Sequence, residues 1–131
     1  MRIMLDTNIL LSALVFRSEK MAHLIESIVE NHTLVLCSYV IDEARAVVTR
    51  KSSRYQTVLD SFLSKLPFEM AETPIWTSDM PNIRDDKDKP VIASAIAADV
   101  DILITGDKDF SGIDIKRPEI MMPSDFFDKY M

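Results

Sequence analysis

The stretch RIMLDTN, residues 2–8, decides the fold of this chain. Its first four residues form a short, mostly apolar run that predicts a strand. Asp6, Thr7 and Asn8 then end the run with three side chains that favour the start of a helix. The stretch therefore predicts a strand, a polar turn at the carboxyl end of that strand, and a helix, in that order.

The rest of the chain continues this alternation. Apolar residues at spacings of three and four predict helices, and continuous apolar or β-branched runs predict strands. The predicted helices cover 9–15, 20–31, 39–50 with Ser38 as its cap, 54–65, 91–98 after Pro90, and a short segment from Pro123; the predicted strands cover 33–37, 68–71, 100–105 and 120–122, and 73–88 is predicted as a polar connection. Alternating strands and helices indicate an α/β fold, a three-layer α/β/α sandwich around a central, mainly parallel sheet.

A chain of 131 residues has the length of one ordinary domain, so we expect a single domain over 1–131. Its hydrophobic fraction of 47%, with 2 Gly and 6 Pro, is typical of a packed globular protein and excludes a disordered or fibrous one. Cys37 is the lone cysteine and no signal peptide is visible, so a cytoplasmic location is expected. No apolar run approaches the roughly 20 residues of a membrane-spanning helix, so no membrane association is expected.

The net charge of -6 argues against a protein that binds nucleic acid through a generally basic surface. That objection weakens if several acidic side chains converge on a metal site, because bound cations reverse the sign of the local field. Basic residues do gather at Arg45, Arg50, Lys51 and Arg54, with Arg17 and Lys20 earlier in the chain. We expect the first three to contact a phosphate backbone, although the same pattern is as typical of an ordinary solvated helix face.

Four acidic residues occupy positions that favour a shared site. Ligands of parallel α/β sheets bind beyond the carboxyl ends of the strands, where Asp6 and Asp107 stand. One such aspartate is often a helix cap, but two favour a site. Glu43 falls on the apolar side of its helix, and Asp88 directly precedes a helix of small residues.

Carboxylates packed together raise one another's pKa unless a cation binds, and hard cations such as Mg²⁺ or Mn²⁺ prefer oxygen ligands. Such a metal activates water and neutralises a phosphate, which is the logic of phosphodiester hydrolysis. Two His and one Cys without ligand-like spacing argue against zinc. The sequence suggests no Ser-His-Asp or Cys-His arrangement, so nothing in it indicates a mechanism with a side-chain nucleophile.

Four short motifs follow one another along the chain: MLDTN at 4–8, Glu43 within 38–48, RDDKD at 84–88 before the helix at 90–98, and TGDKDF at 105–110. In this order they resemble the motifs of the PIN-domain family, which includes VapC-type toxins. The resemblance extends over nearly the whole chain. It implies a Mg²⁺- or Mn²⁺-dependent endoribonuclease.

The resemblance also implies roles for individual residues. The acidic set would be Asp6, Glu43, Asp88 and Asp107, with Asp6, Asp88 and Asp107 binding the metal. The roles around this set are orientation of Asp6 by Asn8 or the Thr7 hydroxyl, orientation of Asp107 by Thr105, and further ligation by Asp109. Family members often have two adjacent acids where this chain has Asp88-Lys89, which leaves Asp85 and Asp86 as alternatives for the third acid.

Resemblance to toxin members implies three partners: an RNA substrate, a cognate antitoxin protein, and a second copy of the chain in a homodimer. Two other functions compete with the ribonuclease. A catalytically silent PIN-like module would bind RNA or protein without cutting, because fold does not imply function. A haloacid-dehalogenase-like phosphatase also begins with a strand ending in aspartate, but it requires a second aspartate where this chain has Asn8.

Overall fold

The computed structural model describes residues 1–75, 88–107, 110, 113 and 115–131. Asp85, Asp86 and Asp109, together with most of the predicted polar connection, lie outside the described residues. Within the described part, strands and helices alternate as predicted. They are β1 (Arg2–Leu5), α1 (Thr7–Leu14), α2 (Glu19–Asn31), β2 (Thr33–Cys37), α3 (Ser38–Lys51), α4 (Ser53–Lys65), β3 (Glu69–Ala71), α5 (Lys89–Ala97), β4 (Ile102–Ile104), β5 (Glu119–Met121) and α6 (Pro123–Tyr130).

The five strands form one sheet in the order β3-β2-β1-β4-β5, and every pairing is parallel. This confirms the predicted α/β/α sandwich with a parallel sheet. The chain first adds β2 and β3 on one side of β1 and then returns to place β4 on the other side. The strand order therefore reverses between β1 and β4, where Leu5 lies in register with Ile104. A crevice at such a reversal is where ligands bind in open α/β sheets.

The three inner strands are buried on both faces, as expected for a parallel sheet covered by helices. Ile3, Met4 and Leu5 of β1 are fully buried, and the apolar residues of β2 and β4 are almost as well covered. Each such aliphatic side chain stabilises the fold by roughly 1.5–3 kcal/mol. The edge strand β3 is different, since Met70 is 50% exposed. The core thus lies under β2, β1 and β4, and it fixes the ends of β1 and β4 beside each other.

Some predicted boundaries differ from the structure. The predicted strand 100–105 contracts to β4, because the Val100 N–H bonds to the Ala95 carbonyl of α5 instead of joining the sheet. The prediction that Ser38 caps α3 is wrong, because Cys37 is the N-cap and Ser38 is the first helical residue. The Ser38 hydroxyl bonds to Thr73 instead.

The C-terminus of α5 closes in a left-handed turn. Asp99 has a φ of 53°, its N–H donates to the Ile96 carbonyl at 3.1 Å, and the Val100 N–H donates to the Ala95 carbonyl at 3.2 Å. These two bonds are the Schellman pattern, in which the left-handed position is usually glycine. Among the described residues, no helix is both long and apolar enough to cross a membrane.

Candidate active site

A cavity of about 270 Å³ opens beyond the carboxyl ends of β1 and β4. The four acids predicted from the sequence all contribute to its lining, and each follows or sits on a different element. Its polar lining residues are Asp6, Thr7, Asn8, Glu43, Arg50, Asp88 and Asp107. The roles of these residues stay predictions, but the fold does bring the four carboxylates to one cavity.

A larger cavity of about 670 Å³ adjoins this one and shares Asp107 with it. Its floor is mostly apolar, formed by residues such as Phe110, Ile120 and Met121. The other three predicted acids do not line it. The smaller cavity, where the carboxylates converge, is therefore the candidate active site.

Asp6 leaves β1 with its backbone still in the sheet, because its N–H donates to the Ile104 carbonyl at 3.1 Å. It is the N-cap of α1, yet its side chain makes no capping hydrogen bond. Instead, Asp6 Oδ2 accepts a hydrogen bond from the Thr105 hydroxyl at 2.6 Å, and the side chain is only 8% exposed. A simple helix cap does not account for a carboxylate held in this way.

Thr105 connects the two halves of the site. Its buried hydroxyl donates to Asp6 and accepts a hydrogen bond from the Asp107 N–H at 3.0 Å. One side chain thus fixes both the carboxylate after β1 and the turn after β4. The orientation of Asp6 was expected from Thr7 or Asn8, but Thr7 Oγ1 is buried with no hydrogen-bond partner in the described part of the chain. The hydroxyl that reaches Asp6 is instead that of Thr105, directly after the neighbouring strand β4, and the roles of Thr7 and Asn8 stay predictions.

Burial raises the pKa of Asp6, and the negative charge of Glu43 raises it further. The Thr105 hydrogen bond and the nearby backbone amides of Thr7 and Asn8 act in the opposite direction without cancelling the effect of burial. The ionised form of Asp6 therefore costs free energy in this position. A bound cation would offset that cost.

Glu43 has a partner that the sequence analysis missed. The Tyr39 hydroxyl, one helical turn earlier on α3, donates to Glu43 Oε2 at 3.0 Å. Burial, followed by the hydrogen bond to Glu43, raises the pKa of Tyr39 to about 12. Tyr39 therefore remains a proton donor at neutral pH. The four-residue spacing of Tyr39 and Glu43 was the available signal, since such pairs share one helix face.

A cluster of three hydroxyls joins the start of α3 to α5. Thr73 Oγ1 lies 3.2 Å from the Ser38 hydroxyl and 2.9 Å from the Ser94 hydroxyl, and it accepts from the Tyr39 N–H at 3.1 Å. Asp88 stands at the N-terminus of α5 and is 7% exposed. The cluster thus fixes the helix that carries Tyr39 and Glu43 relative to the helix that follows Asp88.

The predicted phosphate-contacting residues occupy three different environments. Arg50, in the last turn of α3, lines the acidic cavity. Lys51 lies outside it, with its ammonium 5.1 Å from the centre of the Phe16 ring. Arg45 is not brought to the site: it pairs with Asp60 of α4 at 2.8 Å and lines a separate cavity.

The donor set fits a divalent metal in chemical type. Its carboxylate oxygens are the ligands that Mg²⁺ and Mn²⁺ prefer, and the buried Asp6 would gain from a nearby cation. Across the described ranges, no group of three or more His, Cys, Asp or Glu side chains stands close enough together to hold a metal as placed. The four carboxylates that line the cavity are thus arranged more loosely than the ligands of a formed coordination shell. Asp85, Asp86 and Asp109 lie outside the described residues.

Comparisons with known proteins were consistent with this geometry. The PIN domain family model matches residues 2–109. Among solved structures, the chain is similar to the crystal structure of VapBC2 from Rickettsia felis bound to a DNA fragment from their promoter. The identity is 23% and the TM-score 0.69, over 92% of this chain and 97% of that chain, a likeness that concerns the fold. No curated protein matches the sequence.

Proposed function

The chain belongs to the PIN-domain family, and from that premise we propose that it is a metal-dependent endoribonuclease that hydrolyses RNA phosphodiester bonds. The observation that carries the proposal is the convergence of Asp6, Glu43, Asp88 and Asp107 on one cavity at the reversal of the sheet. Because the chain belongs to the PIN-domain family, it is not a haloacid-dehalogenase-like phosphatase.

In this proposal Asp6, Asp88 and Asp107 hold Mg²⁺ or Mn²⁺, which supplies an activated water and neutralises charge on the phosphate when bound. Asp6 is kept in position by Thr105, so little reorganisation is needed at that ligand. Glu43, fixed by Tyr39, orients the attacking water from the α3 side of the cavity. Arg50 is the cation of the lining and contacts a phosphate oxygen of the substrate.

The substrate and partners extend the proposal. One similar solved structure is VapBC2, and we take from it that this chain pairs with an antitoxin encoded by a neighbouring reading frame. We also propose a cytoplasmic homodimer built from one domain of 131 residues per chain. Co-purification with the product of the neighbouring frame, and the mass of the pure chain by light scattering, test these two partners separately.

The activity is tested by cleavage of a mixed-sequence single-stranded RNA with Mg²⁺, with Mn²⁺ and with EDTA. We expect cleavage to require metal and to fall to background in Asp6→Asn and in Asp107→Asn. Asp128→Asn is the matched control, because Asp128 is exposed on α6 and lines none of the cavities described above. Circular dichroism verifies that each variant is folded.

One observation favours a second function. In the part of the chain that the structure describes, the acids line a cavity without forming a metal cluster. A PIN-like module that binds RNA or protein without cutting would have this property. Wild-type protein that binds RNA tightly but never cleaves it, with either metal, would support this module and refute the nuclease.

A further inference from the structure

An exposed aromatic ring lies beside the candidate active site. Phe16, just after α1, is 60% exposed, far more than a phenylalanine that serves the core. The Lys51 ammonium covers its ring at 5.1 Å from the centroid. The ring is thus an apolar surface in solvent with a cation fixed against it.

This surface continues from the rim of the acidic cavity. The Phe16 N–H donates to the carbonyl of Leu11 at 3.2 Å, and Leu11 lines the cavity. Arg50, which also lines the cavity, directly precedes Lys51 in α3. Phe16, Arg17, Arg50 and Lys51, here called the rim patch, therefore lead outward from the carboxylates.

The charge of this region is opposite to that of the whole chain. The rim patch contains three basic residues, Arg17, Arg50 and Lys51, and no acidic one, although the chain has a net charge of -6. Among the described residues, Arg17, Arg50 and Lys51 take part in no ion pair, whereas Arg45 and Arg2 are paired with acids. Cations that make no ion pair with a described residue, beside an aromatic ring, fit an external polyanion.

We propose that the rim patch is a subsite for single-stranded RNA, in which Phe16 stacks on an unpaired base next to the cleaved bond. Lys51 and Arg17 contact the phosphates on either side of that base. This inference rests on the proposed function, since it assumes an RNA substrate at the cavity. Aromatic side chains accept any base, because every base has a π face, while the adjacent cations follow the backbone.

The test measures binding apart from cleavage. A fluorescent 12-nucleotide RNA of mixed sequence is titrated with protein in an Asp6→Asn background with Mg²⁺, and anisotropy reports binding. We expect Phe16→Ala to weaken binding by roughly 5- to 100-fold and Phe16→Trp to restore it. Lys51→Ala is expected to lower the slope of log affinity against log salt by about 0.7, the value for one phosphate contact on a single strand.

Matched controls lie elsewhere on the molecule. Lys129 lies 5.4 Å from the centre of the Tyr130 ring on α6, so Lys129→Ala removes another cation–aromatic pair, on a helix that contributes no residue to the acidic cavity. Met70→Ala removes a half-exposed apolar side chain on β3. Both are expected to bind the RNA as the parent does. A set of RNAs, each lacking the base at one position, is then compared. Removing the base that stacks on Phe16 should weaken RNA binding by the parent. It should not weaken RNA binding by Phe16→Ala, because the stacking contact is already lost in that variant.

Unchanged affinity in Phe16→Ala, or an equal abasic effect in both proteins, would overturn the subsite. The same holds if Phe16→Ala spares RNA binding and abolishes binding of a protein partner, which would make the patch a protein interface. The proposed nuclease activity can be refuted independently of the subsite. If wild type never cleaves RNA with metal but Phe16→Ala still weakens binding, the subsite stands on a binding module.

Discussion

Thr105 is the residue on which both strand ends of the site depend. In Thr105→Val the shape remains, but Asp6 loses its hydroxyl donor and the Asp107 N–H loses its acceptor. We expect a loss of about 1–3 kcal/mol in the free energy of unfolding, the usual cost of leaving buried polar groups unbonded. Metal affinity should also fall by about 10- to 100-fold.

Urea unfolding and Mn²⁺ titration measure the two effects of Thr105→Val. Thr105→Ser keeps the hydroxyl and should recover metal affinity. If Thr105→Val binds Mn²⁺ as tightly as wild type, Thr105 does not position Asp6 for a metal.

Replacing Asp6 is expected to raise the stability of the metal-free protein, whereas Thr105→Val lowers the stability. Because burial raises its pKa in the folded protein, Asp6 stabilises the fold below its unfolded pKa, and this contribution is lost as pH rises through the folded pKa. In EDTA at neutral pH, Asp6→Asn should therefore melt at a higher temperature than wild type. The difference should shrink toward acidic pH.

Calorimetry with and without Mg²⁺ measures this prediction for Asp6. Added metal should stabilise wild type by mass action and leave Asp6→Asn unchanged. A variant less stable than wild type in EDTA at neutral pH would show that the buried charge is compensated by the protein itself.

Tyr39 supports Glu43, so Tyr39→Phe removes a positioning hydroxyl and little apolar surface. We expect kcat for RNA cleavage to fall by about 10- to 100-fold. The free energy of unfolding should change by about 1 kcal/mol or less. Tyr55→Phe is the control, because Tyr55 lies on α4 and is 36% exposed. Equal kcat in the two variants would remove Tyr39 from the mechanism.

At the scale of elements, a substitution in the turn after α5 is expected to stabilise the fold. Asp99 adopts a left-handed conformation at a helix C-terminus, where its carboxylate also opposes the helix dipole. Asp99→Gly should raise the free energy of unfolding by about 0.5–1 kcal/mol. Its exposed ion pair with Arg117 is a small loss, since Arg117 keeps Asp101 at 2.8 Å.

The variant Asp99→Ala distinguishes the effect of backbone conformation on stability from the effect of the carboxylate charge at the same turn. It also removes the carboxylate but keeps the left-handed strain of a side chain, and alanine tolerates that region less well than aspartate. We expect the order of stability to be Gly, then Asp, then Ala, in thermal or urea unfolding. If Asp99→Ala and Asp99→Gly are both more stable than wild type by the same amount, charge rather than conformation governs this turn.

The elements themselves were largely predictable because local patterns decide them. The run at 33–37 was predicted with the bounds that β2 has, since a buried strand is a continuous β-rich run. Val100 was predicted as strand because its apolar side chain fits one. The bond that removes it is a property of how α5 ends, which periodicity does not report.

At the scale of the whole molecule, Asp6 and Asp107 line one cavity because parallel strands end at one edge of a sheet, which the alternation of strands and helices already implied. The partners of those acids were harder to foresee. Thr105 reaches Asp6 across 99 positions of sequence, and Ser38 and Thr73 meet across 35. Such contacts depend on which strands are neighbours, and a single sequence does not specify strand order.

The placement of β1 between β2 and β4 has a consequence for how this protein is made. Its first strand is central in the finished sheet, but one of its neighbours is synthesised about a hundred residues later. Asp6 cannot meet Thr105 until β4 has left the ribosome. A growing chain, or one cut short before β4, therefore lacks an assembled site.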